Sequence, residues 1–277
     1  MCGPFKGCQG ILRLLEIIFS AIPFFIVIFR GRMVSPWGVW CQFVWVFCII
    51  VPLVLTVVEA RMLHILLAAF LPDWAGLTCG LTTLCAVMIA SATIIFAVVF
   101  LCLSCLLNIL CFVLSLVATV VFLIDCVNQK KTFPSGYLCG RRGVLRTAEA
   151  FTACIILSAG ADHFVMASWS FRPFGLICCM IVFGVCLLVT VLIILLNLLK
   201  LLQCLLSFGL NAMEIVFNIV AVLLYLAAVI LWCVFGYKRY QYNPYMCLEC
   251  SFANVNTVTV GAILNLVFYV LDLVLSF

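Results

Sequence analysis

The sequence predicts an all-α integral membrane protein with eight transmembrane helices, arranged as two tandem four-helix bundles in parallel repeat. Three observations carry this prediction: an apolar excess, long uninterrupted apolar runs, and motifs that recur in the same order. Of 277 residues, 69% are hydrophobic and only 8% are charged, with a mean hydropathy of +1.43. A soluble domain is about 45–50% apolar and about 25% charged. A chain of this size cannot hide the difference inside, whereas a bilayer is itself an apolar solvent. The runs are continuous, which suits helices and not the alternating strands of a membrane barrel.

A span needs about 20 mostly apolar residues. The first run, Ile11–Phe29, carries Arg13 and Glu16 and lacks a small-residue cleavage site after it, so it reads as a helix and not a leader. Val39–Val58 is the second. Trp74–Val127 has no charge before Asp125 and is too long for one helix, so it is divided at a turn near Ser104–Asn108. The second half gives Val144–Val165, Phe174–Leu199, Leu210–Gly236 and Val255–Leu275. Pro23 and Pro52 fall inside spans and predict kinks. Met62–Leu71 is too short to span; it reads either as a half-embedded interfacial segment or as an extension of the second helix. Trp37, Trp40, Trp74 and Trp169 fall near span ends, where interfacial anchors sit. Small residues in helix three (Ala86, Ala90, Ser91, Ala92) and helix seven (Ala221, Ala227, Ala228) predict close packing.

Lys and Arg placement predicts the orientation. With a cytoplasmic N-terminus, the inner side takes Lys6, Arg13, Arg61, Lys130, Lys131, Arg141, Arg142, Arg146 and Lys200, nine of the fourteen basic residues. The outer side takes the other five, Arg30, Arg32, Arg172, Lys238 and Arg239. Both termini are therefore expected in the cytoplasm. The net charge of +5 suits anionic headgroups, and no basic patch with interleaved aromatics points to nucleic acid.

The internal repeat rests on three motifs. Ile11-Leu-Arg-Leu-Leu-Glu16 and Val144-Leu-Arg-Thr-Ala-Glu149 each open a half. Phe122-Leu-Ile-Asp125-Cys-Val127 and Tyr269-Val-Leu-Asp272-Leu-Val274 each close one. A C-x-x-C lies between the third and fourth helices of each half, Cys102/Cys105 and Cys247/Cys250. An even number of spans per half makes the repeat parallel. The expected units are 1–127 and 144–277, joined by a cytoplasmic linker at 128–143, with the largest insertion of the second half in an outer loop at Tyr237–Asn254.

These features resemble the tandem MARVEL-domain membrane proteins, and most closely the myeloid-associated differentiation marker family. The resemblance is carried by Leu12-Arg-Leu-Leu-Glu16, Val57-Val-Glu59, the stretch Gly143–Ile156, Leu192–Leu198, Leu223–Tyr237 with Leu231-Trp232, and Asn265 with Leu271-Asp-Leu273. It covers most of the chain. It implies helical bundles with cytoplasmic termini, residence in the plasma membrane or trafficking vesicles, and a non-catalytic role in membrane organisation: raft-like ordering, apposition or trafficking. The partners implied are membrane lipids, including sterol-rich domains, other membrane proteins, and a second copy of the chain.

No catalytic, cofactor-binding or metal-ligating set is expected. His64 and His163 are the only histidines and neither lies in a ligand-spaced cluster. The nineteen cysteines mostly fall inside apolar runs, as Cys178, Cys179 and Cys186 do, where they act as small hydrophobes. The residues that stand out are charged. Arg13 and Glu16 lie one turn apart, with Glu59 and Asp125 near the same end of the first half. Arg146, Glu149 and Asp272, with Glu214 nearby, form the expected counterpart. Charges near span ends should pair or snorkel, so these clusters are expected to lock each bundle. Cys247/Cys250 is the better candidate disulfide, Cys102/Cys105 the weaker. Cys2, Cys8, Cys126 and Cys139 are candidate palmitoylation sites beside the membrane. The alternative function is a small-solute or ion transporter or channel, with its polar site at Glu16, Glu149 or Glu214.

Overall fold

The structure, a computed structural model, describes residues 8–276 apart from 32, 34, 64, 66–73, 103–104, 133–139, 167–172, 199–200 and 243–251; for 8, 132, 166, 198, 201–211 and 238–242 it describes the backbone alone. Eight helices succeed one another: α1 (Cys8–Arg30), α2 (Pro36–Ala60), α3 (Trp74–Val99), α4 (Leu106–Thr132), α5 (Arg141–Met166), α6 (Phe174–Leu198), α7 (Leu201–Tyr242) and α8 (Phe252–Val274). Each contains a stretch long and apolar enough to cross a bilayer. Among the described residues there is no strand.

Local chemistry explains the boundaries. Gly31, at φ +109°, supplies the left-handed turn after α1, a conformation that costs glycine little. Ser35 caps α2 by accepting Gly38 N–H on its Oγ at 3.2 Å, and Pro36 occupies the first helical turn, where no donor is needed. α2 stops because Met62 takes φ 55°. The segment from Met62 therefore does not extend α2, and its later part, 66–71, lies outside the described residues. α1 and α2 run as single helices through Pro23 and Pro52.

Three expected boundaries shift. α3 ends at Val99 and α4 starts at Leu106, so the turn overlaps the expected Ser104–Asn108 but begins four residues earlier. α4 continues through Thr132 and α5 begins at Arg141, which shortens the 128–143 connection from both sides. α7 runs from Leu201 to Tyr242, past the expected Leu210–Gly236 at both ends. At Thr132, Arg141 and Tyr242 polar residues at a helix end keep helical hydrogen bonds that an apolar run does not reveal.

The chain divides into two compact units, Met1–Gly140 and Arg141–Phe277. In the first, α1 packs on α2 and α4, and α3 packs on α2 and α4. In the second, α5 packs on α6 and α8, and α7 packs on α6 and α8. Each unit is thus a closed ring of four neighbours.

The two interiors repeat one another in detail. Cys41 Sγ on α2 donates to Ala92 O on α3 at 3.6 Å, and Cys179 Sγ on α6 donates to Ala228 O on α7 at 3.5 Å. Trp45 stacks near Phe96 at 5.7 Å in the first unit, and Phe183 near Trp232 at 6.5 Å in the second, with the indole moved to the other helix.

In the apolar stretch of each span only 28% to 44% of the residues are buried, and the exposed side chains point outward. Those outward side chains are apolar: Phe29 is 87% exposed, Val98 79% and Leu188 70%. Apolar faces of this extent match lipid and not water. The chain is a multi-pass membrane protein.

The interfacial-anchor expectation fails for two tryptophans. Trp37 and Trp40 are buried within the first unit, on the same face of α2 as Cys41, Val44 and Trp45. Trp74 is half-buried, and Trp169 lies outside the described residues. Of the small residues, Ala86, Ala92, Ala221 and Ala228 are buried at helix contacts, whereas Ala227 is exposed.

Candidate functional site: a charged cluster at one end of each unit

Every helix of the first unit contributes to its cluster. Arg13 on α1 is 3% exposed and grips Glu59 on α2 with both arms; Nη2 donates to Oε1 at 3.0 Å and Nη1 donates to Oε2. Trp74 Nε1 on α3 donates to the same Glu59 Oε1 at 3.3 Å. On α4, Gln129 Nε2 donates to Asp125 Oδ2 at 2.6 Å and to Thr82 Oγ1 at 3.1 Å. Glu16 is buried one turn along α1 from Arg13, and its Oε1 has no hydrogen-bond partner among the described residues. Arg13 therefore pairs across helices with Glu59 and not with its own neighbour Glu16. Its two-armed geometry is the one guanidinium and carboxylate favour.

The second unit builds a larger cluster. Arg146 on α5 is 1% exposed, with Nη2 2.7 Å from Asp272 Oδ2 on α8 and 3.8 Å from Glu214 Oε2 on α7. Nη1 lies 4.0 Å from Glu149 Oε2 on its own helix. Arg142, one turn earlier, donates Nη2 to Glu214 Oε2 at 3.0 Å and to Ser276 Oγ at 2.9 Å. Asn197 on α6 donates to Glu214 Oε1 at 2.8 Å, and Asn218 on α7 donates to Asp272 Oδ2 at 2.7 Å. The face of Phe217 sits 5.9 Å from the Arg146 guanidinium. All four helices again meet at one polar knot.

The expected residues thus assemble, with two differences. Arg142 is a full member of the second cluster, whereas the sequence reading places it among the loop cations. Its spacing to Arg146 is the signal that could find it, since positions four apart share a helix face. The amides Gln129, Asn197 and Asn218 also belong; Gln129 stands four residues from Asp125, a spacing that could find it, whereas Asn197 and Asn218 are lone neutral amides in apolar runs with no distinguishing spacing.

The middles and opposite ends of the units hold polar pairs that sequence reasoning misses. In the first unit, Trp45 Nε1 donates to Ser115 Oγ at 3.3 Å, and Thr93 Oγ1 lies 2.7 Å from that same oxygen. At its far end Arg30 donates to Asn108 Oδ1. In the second, Asn265 Nδ2 donates to Tyr225 OH at 2.7 Å, Thr190 and Tyr269 share a hydrogen bond of 2.8 Å, and Asn254 Nδ2 donates to Asp162 Oδ2 at 2.6 Å. Buried polar groups in a membrane protein need such partners, since lipid offers none.

The cysteine expectations divide. Cys126 is buried, with its thiol 3.2 Å from Thr83 Oγ1. An acyl chain there would have to displace α3. Cys105 is half-buried and accepts Arg30 Nη2 on its sulfur at 3.7 Å. Cys2, Cys139, Cys247 and Cys250, and the side chain of Cys8, lie outside the described residues.

No family model matches the chain, and no solved structure matches it significantly. Curated relatives match it along nearly its whole length. It is 25% identical to myeloid-associated differentiation marker-like protein 2 of Xenopus laevis, over 96% of this chain and 90% of that protein. It is 28% identical to the Xenopus laevis myeloid-associated differentiation marker homolog, over 98% of this chain and 92% of the relative. It is 26% identical to the Homo sapiens myeloid-associated differentiation marker-like protein 2, over 96% and 90%. The chain is thus similar, over nearly its whole length, to the myeloid-associated differentiation marker proteins.

Proposed function

We propose that the chain is a non-catalytic organiser of membrane domains, acting in raft-like ordering, membrane apposition or trafficking. The observation that carries this reading is the inversion of polarity in each unit. Charges are drawn inward into the Arg13–Glu59 and Arg146–Asp272 clusters, while large apolar side chains cover the outside. A protein so built devotes its surface to contact with lipid and neighbouring helices. Its partners are then membrane lipids, sterol-rich domains among them, other membrane proteins and a second copy of itself. Its place is the plasma membrane or trafficking vesicles, with both termini cytoplasmic. The names of the relatives mention no enzymatic activity, in keeping with this reading.

A transporter or channel is the second reading. Buried polar groups along the second unit favour it: Glu149, Asn218, Tyr225, Asn265 and Asp162. Against it, Ile156, Phe183 and Val258 are fully buried within the same unit, so apolar packing interrupts the polar groups.

Flux in reconstituted vesicles separates the two. The organiser reading expects no selective transport, together with a change in lipid order or domain partition when the full chain is added to phase-separating vesicles. Selective flux abolished by Glu214→Gln would replace it with the transporter.

A further inference from the structure

We propose that the second unit binds one small monovalent metal cation, such as sodium, between Glu149 on α5 and the side-chain oxygens of Asn218, Asn265 and Tyr269. The proposal goes beyond the organiser reading and does not depend on it, since a bound ion holds helices together without crossing the membrane.

The first ground is charge. Arg142 and Arg146 bring two positive charges to the cluster, and Glu149, Glu214 and Asp272 bring three negative ones. Both arginines are taken: Arg142 donates to Glu214 at 3.0 Å, and Arg146 lies 2.7 Å from Asp272. Glu149 is left over. Its ion-pair contact, Arg146 Nη1, lies 4.0 Å away, beyond hydrogen-bond reach. Neither of its carboxylate oxygens has a hydrogen-bond partner among the described residues. Glu149 is wholly buried, and an uncompensated charge inside a membrane is costly. One monovalent cation closes the balance, whereas a divalent one would leave an excess of positive charge.

The second ground is the set of oxygens. Arg146 meets Asp272 and Ile156 meets Gly261, so α5 and α8 run antiparallel. Glu149, three residues past Arg146, therefore stands level with Tyr269, three before Asp272. Asn218 bonds Asp272 and Tyr225 bonds Asn265, which brings Ala221 on α7 to the same level. Thr190 on α6 joins it through its bond to Tyr269. Ala221 is small and leaves room beside the carboxylate. Asn218 lies one layer nearer the rim and Asn265 one layer deeper. Each is wholly buried and gives its amide nitrogen to a partner, and each has an Oδ1 with none among the described residues. Carboxylate, amide and hydroxyl oxygens with free lone pairs suit a hard cation. Water donates to such oxygens but brings no charge. A proton on Glu149 brings charge but reaches a single acceptor.

The first unit supplies a contrast. Glu16 takes the place of Glu149, but the repeat puts Phe122 where Tyr269 stands and Ala118 where Asn265 stands. Pro52, eleven residues after Cys41, replaces Thr190, eleven after Cys179. Three oxygens around Glu149 thus have no counterpart there. In the second unit Ile156 and Phe183 close the deeper interior, so the ion enters from the rim, where the Arg142 side chain is 36% exposed.

The test uses the full-length chain in phosphatidylcholine nanodiscs, at fixed pH and ionic strength, with sodium exchanged against choline. Radioactive sodium should bind above the level of empty nanodiscs. Glu149→Gln, which keeps the shape and removes the charge, should lose one ion per chain. Should that variant not fold, the wild-type chain decides through a hydrophobic carbodiimide, which modifies buried carboxyl groups only while they are protonated. Sodium at ten times its half-saturating concentration should lower modification of Glu149 about tenfold relative to choline. Binding no higher than in empty nanodiscs would overturn the proposal, as would binding that Glu149→Gln leaves intact. So would modification of Glu149 that follows pH but ignores sodium, since a proton alone would then fill the site.

Discussion

Arg146 on α5 lies 2.7 Å from Asp272 on α8, so the first and last helices of the second unit are joined by an ion pair with almost no exposure at either end. A buried pair contributes little net stability, because desolvating both ions offsets their attraction, but removing one partner strands the other. Arg146→Leu leaves Glu149, Glu214 and Asp272 with Arg142 as the cluster's remaining cation. The expected loss is about 3–5 kcal/mol, read as a fall in monodisperse protein after detergent extraction and a lower melting temperature. An unchanged melting curve would remove the cluster from any structural role.

The first-unit pair should be milder. The Glu59 side chain is 35% exposed, so water can solvate it once Arg13 is gone. Arg13→Leu should therefore cost less than Arg146→Leu. In a double-mutant cycle, Arg13→Leu with Glu59→Gln should show a coupling of about 0.5–3 kcal/mol. Strict additivity in thermal unfolding would contradict the pairing.

Asn265 and Tyr225 form a hydrogen bond of 2.7 Å in the interior of the second unit. Interhelical hydrogen bonds in membrane proteins contribute about 0.6 kcal/mol on average and about 1.7 at most. Tyr225→Phe should thus lower stability by an amount in that range. Asn265→Leu should add little more when Tyr225→Phe is already present, because the partner is already lost. Two full, independent losses would show that the pair does not act together.

Gly261 is required by close approach, not by its backbone angle. Gly261→Ala places a Cβ 2.8 Å from Ile156 Cγ1, an overpacking expected to cost about 1–3 kcal/mol. Ile156→Ala in the same chain should restore part of that loss by making room. Equal stability of Gly261→Ala and the wild type, measured by thermal unfolding in detergent, would mean the helices sit farther apart.

Acylation, where it occurs, should fall on Cys2, Cys8 or Cys139 and spare Cys126, whose thiol faces Thr83 inside the unit. Acyl-exchange labelling of Cys126→Ser should equal that of the wild type. A drop on that substitution alone would reverse the assignment.

The spans are legible in the sequence because length and apolarity decide them, and those are written residue by residue. The ion clusters are legible for the same kind of reason: Arg13, Glu16, Arg146 and Glu149 are rare charges in apolar surroundings, and rare charges must find partners. The partner itself is not legible. Arg13 pairs with Glu59 over the sequence-near Glu16 because α2 brings a carboxylate to the rim, a fact of packing. The Thr93–Ser115 and Asn265–Tyr225 contacts are hidden too, since neutral polar groups in apolar helices look alike until facing helices are set in register. The boundaries at Thr132 and Tyr242 escape hydropathy because backbone hydrogen bonds continue into polar sequence.

The central claim is that lipid surrounds the outward faces of these helices while their charges are turned in. Spin-labelled residues incorporated singly at Leu188 and Leu223, both outward, and at Phe183 and Tyr225, both inward, test it in reconstituted bilayers. Power saturation should show the outward pair colliding freely with oxygen and shielded from a water-soluble nickel chelate, and the inward pair shielded from both. Nickel access at Leu188 and Leu223 equal to that of a label in bulk water would contradict the account.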